Sequence, residues 1–317
     1  MGSATIQLRG VSKTFGATRA VRDLDLAVPA GSLCGFLGPN GAGKTTTLRM
    51  IMSIIYPDEG TIDVLGGSAL ESKDRIGYLP EERGVYRKMR VGEFLQYIAS
   101  LKGVPRRDLS GLVKDWLGRV ELPDVYAKKC EELSKGMQQK VQFLAAILHD
   151  PELLILDEPF SGLDPVNTDL LNRLIRELNE QGKTIIFSTH ILHQAEQICD
   201  RIFLINHGVK LLDASLEEIH ARFDPRTILA DPLDGTINAE TVDGLQSVHR
   251  MPEGSALELE LKHDADPQLV MKRVLERYPV RSIELRRLSL DEVFVQLVRQ
   301  DEGAEAAAQA KEDLTHV

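Results

Sequence analysis

The stretch Gly38-Pro39-Asn40-Gly41-Ala42-Gly43-Lys44-Thr45 fits the spacing G-x-x-x-x-G-K-[ST]. No other feature restricts the fold so strongly, because its flanks comply as well as its letters. Ahead of it, Leu33-Cys34-Gly35-Phe36-Leu37 is a short apolar run that predicts a buried strand. Behind it, Thr46 to Met52 predicts a helix. A strand, a glycine loop and a helix in that order form a cradle for polyphosphate. The glycines let the backbone wrap closely, so that several N–H groups converge on phosphate oxygens. The helix dipole adds its positive end. Lys44 would set a point charge on the β- and γ-phosphates, and Thr45 would offer its hydroxyl to Mg2+. Together with Thr46, these residues make the expected nucleotide-triphosphate site.

At 317 residues the chain has room for two domains. A net charge of −10 argues against a nucleic-acid surface, and arginine pairs such as Arg106-Arg107 and Arg286-Arg287 are isolated. Cys34, Cys130 and Cys199 are widely separated without metal-type spacing, which predicts small buried thiols in a reducing compartment. No apolar run approaches the ~20 residues of a bilayer crossing, and the first residues lack a signal-peptide pattern. The expected location is the cytosol, or the cytoplasmic side of a membrane through a partner.

Along the chain, Thr5-Ile6-Gln7-Leu8 alternates as an edge strand would, and Ala20 to Val28 alternates again. Thr61 to Leu65 and Arg75 to Leu79 predict strands, the second running into a charged loop at Pro80–Gly84. Residues 91–122 change character, within an expected helical subdomain of 91–132. Val91, Phe94, Leu95, Ile98, Leu112, Val113, Trp116, Leu117 and Val120 carry helical spacing, which predicts a helical insertion in an α/β core. Ser134 is placed to cap a helix through Leu148. Leu153-Leu154-Ile155-Leu156 predicts a parallel strand covered on both faces, ending in Asp157-Glu158. Asp164 at the N-cap and Pro165 at the first turn open a helix expected to bury Val166, Leu170, Leu174, Ile175 and Leu178. Thr184 to His190 predicts another buried strand, and Ile202 to Gly208 starts a hairpin.

Composition shifts near Phe223, where Pro225, Pro232 and Gly235 suggest a linker. Beyond it, Ala256–Leu261 and Val280–Leu285 predict strands, and Pro267–Tyr278 and Ser289–Val298 predict helices. The expected division is a domain of residues 1–222, a small α+β domain of 223–300 without a catalytic motif, and a helical or disordered tail of 301–317.

The glycine loop, Leu133-Ser134-Lys135-Gly136 and Asp157-Glu158 occur in the order found in ATP-binding cassettes. On these motifs residues 4–220 resemble the ATPase subunits of ABC transporters. The Leu-Ser-x-Gly core distinguishes that family from other P-loop ATPases. Residues 220–300, ending in Leu288-Ser289-Leu290-Asp291-Glu292-Val293-Phe294, resemble the accessory domain on cassettes of ABC-2-type exporters. The implied fold is an α/β P-loop NTPase cassette, with a RecA-like core, an antiparallel β subdomain and a helical insertion.

The resemblance assigns roles residue by residue. Asp157, at a strand end, would hold Mg2+ with Thr45 and Glu81. Glu158 would orient and deprotonate the attacking water. His190 matches the switch histidine that meets the γ-phosphate, and Asp164 the aspartate of the turn after the acidic pair. Phe15 would stack on adenine. Ser134 and Gly136 would face the γ-phosphate held by a second copy of the cassette in a head-to-tail dimer, which gives two ATP and two shared sites. Integral membrane permease subunits are the other implied partner, and no nucleic acid is expected. Two positions depart from the family pattern. Glu81 stands where a glutamine is usual, so it ligates a cation but donates no hydrogen bond, and Met137 replaces the signature's last glutamine. The alternative is a soluble cassette ATPase acting on ribosomes or DNA, against which stand the single cassette and the lack of a long coiled coil or zinc module. A third reading is a nucleotide-binding regulatory subunit with negligible turnover.

Overall fold

The computed structural model describes residues 4–303, apart from 83, 225 and 252–254, and residues 306–309. Most of the expected tail, and Pro225, lie outside these described residues. The chain falls into two compact units, Met1–Leu216 with Phe294–Val317 and Glu217–Val293.

The first unit begins with β1 (Ala4–Phe15) and β2 (Thr18–Pro29), followed by β3 (Leu33–Leu37), α1 (Lys44–Ile51), β4 (Glu59–Val64) and β5 (Ile76–Leu79). Then come α2 (Val91–Leu101), α3 (Arg106–Arg119), α4 (Lys135–Ile147), β6 (Leu153–Asp157), α5 (Pro165–Glu180), β7 (Thr184–Thr189), α6 (Leu192–Ile198) and the hairpin β8 (Arg201–Asn206) and β9 (Val209–Ser215). Two sheets result: an antiparallel one in the order β2-β1-β4, and a six-stranded one in the order β5-β6-β7-β3-β8-β9. The latter is parallel except for β9.

Every residue of β3, β6 and β7 is buried, as continuous apolar runs require when both faces of a parallel sheet are covered. One core joins the two sheets: Phe36, Ile155, Ile186 and Phe203 pack in the same cluster as Leu48 and Ile51 of α1 and Ile6, Leu26 and Val64. Parallel pairing brings the carboxyl ends of neighbouring strands to one edge, with Leu37 opposite Thr189 and Asp157 opposite Ser188. Ligands of open α/β sheets bind at such an edge.

Two expectations need correction here. Thr5–Leu8 lies in the middle strand of its sheet, not at an edge, since β1 pairs with β2 and β4. Its alternation reflects one face on the core. Val166 is 72% exposed, although Leu170, Leu174, Ile175 and Leu178 are buried. It sits in the first turn of α5, ahead of the stretch of that helix that is buried.

The helical insertion is packed tightly. α2 buries Val91, Phe94, Leu95 and Ala99, and α3 buries Leu109, Val113 and Leu117. A Cβ on Gly92 would come within 2.6 Å of the Tyr126 ring, so this close approach needs glycine.

The second unit opens within α7 (Leu216–Arg222) and contains β10 (Thr227–Pro232), β11 (Leu245–Arg250), β12 (Leu257–Leu261), α8 (Pro267–Arg277) and β13 (Val280–Leu285). A last helix, α9 (Leu290–Glu302), follows β13. The strands form an antiparallel sheet in the order β11-β12-β10-β13. Val270 and Val274 of α8 share a core with Ile228, Ala230, Leu257 and Leu259. The linker expected around 225–235 is therefore interrupted by an interior strand. Pro232 is tolerated because it ends β10, where the register against β13 shifts.

Candidate nucleotide site

The glycine loop folds as a cradle. Gly43 has φ 105° and its Cβ would lie 2.5 Å from the Ala20 carbonyl oxygen. A side chain is thus excluded by backbone conformation and by space. Gly43 is also the N-cap of α1 and offers no side-chain acceptor, whereas Ser134, Asp164 and Asp266 cap α4, α5 and α8. The first N–H groups of α1 remain available to an anion. Asn40, Gly41, Gly43, Lys44, Thr45 and Thr46 line a cavity of about 360 Å3 with Ala20, Glu81 and Glu158.

Lys44 is buried beneath this loop. Its Nζ donates to the carbonyls of Gly38 at 2.7 Å and Pro39 at 3.1 Å and lies 3.9 Å from Glu158 Oε1. Burial lowers its pKa, partly opposed by Glu158, Asp157 and Glu81.

The three expected metal-binding residues meet. Thr45 Oγ1 donates to Asp157 Oδ1 at 3.2 Å and lies 3.4 Å from Glu81 Oε2. Asp157 is fully buried, and its second oxygen, Oδ2, has no hydrogen-bond partner. Desolvation raises its pKa, and the nearby Glu81 and Glu158 push the same way against hydrogen bonds from Ser188 and Thr45. An unpartnered buried carboxylate oxygen beside a hydroxyl and a second carboxylate suits a hard divalent cation. Among the described residues no group of three His, Cys, Asp or Glu side chains forms a cage of its own. Phosphate oxygens would have to complete the coordination.

Glu158 follows the strand in a left-handed conformation, φ 49°, that side chains rarely adopt. Its N–H is held by the Ser188 carbonyl at 3.1 Å and Ser188 Oγ at 3.2 Å. Ser188 Oγ also donates to Asp157 Oδ1 at 2.5 Å, so one serine fixes both acids. His190 Nδ1 lies 2.8 Å from Glu158 Oε1. A carboxylate accepts a hydrogen bond from an Nδ1–H, so this contact suits the tautomer that carries its proton on Nδ1.

Ser134, Gly136 and Asp164 do not line this cavity. Ser134 Oγ accepts from the Met137 N–H at 3.3 Å, and Asp164 accepts from the Asn167 N–H at 2.9 Å. The two segments adjoin, because a Gly136 Cβ would lie 3.4 Å from Leu163. Phe15 is half-exposed at the end of β1 with the Lys13 ammonium 5.5 Å over its ring, and it too stays outside the lining. Sequence reasoning missed Ala20, whose position in β2 carries no motif, and Ser188. The latter's only signal is a polar residue at the end of an apolar strand.

The family model described as "ABC transporter" matches residues 21–161. A second, described as "ATP-binding protein DrrA1-3-like, C-terminal domain", matches residues 215–298. An uncharacterized ABC transporter ATP-binding protein, YhaQ of Bacillus subtilis (strain 168), is 39% identical over 91% of this chain and 96% of its own length. The chain belongs to the ABC transporter ATP-binding proteins. Within that family it is an ATP-binding and ATP-hydrolysing transporter subunit. It is also 34% identical to Nod factor export ATP-binding protein I of Burkholderia lata, over 94% of this chain and 98% of that one. A solved structure titled as the ATP binding subunit of an ABC transporter aligns with TM-score 0.64 and 29% identity, covering 69% of this chain and 93% of that chain. Among the described residues no helix is long and apolar enough to cross a membrane.

Proposed function

We propose that this chain is the ATPase of an ABC exporter, binding Mg·ATP between the glycine loop and the Asp157–Glu158 strand end. The observation that carries the reading is the meeting of Thr45, Glu81 and Asp157 oxygens beside Lys44, with Glu158 just after β6 and His190 just after β7 in contact next to them. Thr45, Asp157 and Glu81 would hold Mg2+, which when bound neutralises phosphate charge. The α1 N–H groups and Lys44 bind the polyphosphate and fix its register. Glu158 orients the attacking water and accepts its proton at a carboxylate oxygen, while His190 holds that carboxylate through Nδ1. Export is supported by the near full-length similarity to a relative named for Nod factor export.

In the same reading the chain pairs head to tail with a second copy and docks on membrane permease subunits at the cytoplasmic face. The placement of Ser134 and Gly136 away from their own chain's cavity supports a role at a neighbour's ATP. The residues 1–222 act as the cassette with 91–132 as its helical subdomain, and 223–300 as an accessory domain.

The test is Glu158→Gln. It should retain ATP binding, nearly abolish steady-state hydrolysis and accumulate an ATP-bound dimer visible by light scattering. Turnover at the parent rate would remove Glu158 from the catalytic role. For the shared site, Ser134→Arg and Lys44→Ala proteins should each be inactive yet recover partial hydrolysis when mixed with the permease. A fully active Ser134→Arg homodimer would refute it.

A further inference from the structure

Two glutamines on α4, Gln139 and Gln142, are buried to 2% and 5% exposure. Three residues apart on a helix, they share a face, and neither lines the nucleotide cavity. Gln139 Nε2 donates to the Pro159 carbonyl at 3.0 Å and lies 3.5 Å from that of Glu158. Gln142 Nε2 donates to the Glu82 carbonyl at 3.3 Å. The two carbonyls held most directly belong to the residues that follow Glu158 and Glu81. One helix thereby grips the backbone beside each of two acids that lie 77 positions apart in sequence (158 − 81).

Packing alone does not account for these side chains. Gln142 Oε1 is buried without a hydrogen-bond partner, a cost that an apolar residue of the same shape would not incur. The reversed amide would set Oε1 against the Glu82 carbonyl, so the Nε2 contact decides its orientation. We propose that Gln139 and Gln142 are positioning residues: through them α4 holds the Glu158 turn and the Glu81 loop in register with the glycine loop. The proposal rests on the nucleotide-site reading above. The same helix begins at Ser134 and Gly136, so a displacement of its first turn reaches both acids of its own chain at once.

The test uses the full chain with substitutions of similar shape that remove the side-chain amide and, with it, the Nε2 donor. Gln142→Met should raise the Mg2+ concentration needed for tight binding of a fluorescent ATP analogue by about tenfold. Its affinity for the analogue in EDTA and its melting temperature should stay at the parent values. Gln139→Met should lower kcat by about tenfold with KM for ATP unchanged. Should either methionine variant fail to fold, the glutamate variant keeps the shape, sets an acceptor against the carbonyl, and should move the same readouts in the same direction. Parent-like Mg2+ response and kcat in these variants, in a chain that binds Mg·ATP, would overturn the proposal and leave the site reading standing. A parallel loss of melting temperature and EDTA affinity would also overturn it, by making the glutamines merely structural. A parent chain that binds no Mg·ATP would remove the site reading itself, and this proposal with it.

Discussion

Replacing Asp157 with asparagine is expected to change thermal stability in opposite directions with and without Mg·ATP. Asp157 is fully buried, its Oδ2 has no partner, and its pKa is raised chiefly by desolvation. The folded state therefore disfavours its charge. A buried polar atom left unpartnered costs about 1–3 kcal/mol, and more when charged. Asparagine removes the charge but leaves an amide in the same place, so the net gain is about 1–2 kcal/mol. For a unit of this size that is about 2–8 °C in melting temperature. The sign follows from linkage. A carboxyl whose folded pKa is raised loses stability as pH climbs from its unfolded value through the folded one. The variant's advantage is thus full at neutral pH and shrinks on acidification. With Mg·ATP at a hundred times its dissociation constant, the parent gains about 2.7 kcal/mol, while the variant, lacking the anionic ligand, gains little. Thermal melts in EDTA and in Mg·ATP should therefore rank the two proteins oppositely. A variant that melts below the parent in EDTA, or that keeps the whole Mg·ATP shift, refutes the assignment of Oδ2 to a cation.

Three other outcomes follow from particular contacts. Gly43→Ala forces a side chain to φ 105° and to 2.5 Å from a carbonyl; it should cost about 1–3 kcal/mol and weaken ATP binding, both measurable by melts and nucleotide titration. Gly92→Ala drives a methyl to 2.6 Å from the Tyr126 ring. It should destabilise by about 1–3 kcal/mol, with partial recovery when Tyr126→Leu is added, as read from thermal melts. Because burial lowers the Lys44 pKa, ATP affinity should fall as pH rises through that lowered value, before an ordinary lysine would lose its proton. Titrations from neutral into alkaline pH check this, and constant affinity up to the ordinary lysine range would contradict it.

The residues that touch phosphate in the proposed reading were legible because their chemistry is local. A glycine loop must sit between its strand and helix, and Asp157 ends a strand whose other residues, Leu153 to Leu156, are all apolar. What the sequence hid lies in contacts between distant segments. Ser188 meets Asp157 across 31 positions and Gln142 meets Glu82 across 60; spacing carries no trace of either. Periodicity was sound for direction but not for extent: the stripe on α5 begins at Leu170, because its first turn stands clear of the core. Punctuation misled at β10, where prolines and a glycine bracket a strand that they seemed to forbid. Leu245–Arg250 carries no strand signal in the sequence, since β11 pairs along only one side and buries little beyond Leu245.

The interior position of β10 governs how the second unit can be cut or built. Its first strand in sequence pairs with β12 on one side and with β13, some fifty residues later, on the other (280 − 227 = 53). During synthesis β10 must wait for Val280–Leu285 before its second edge is covered. A fragment ending anywhere between β12 and β13 leaves Ile228 and Ala230 in a strand with unpaired N–H and C=O groups. Such an edge recruits other chains. Soluble fragments should therefore end before Thr227 or run past Leu285, and products of proteolysis that stop between those limits should be found in aggregates.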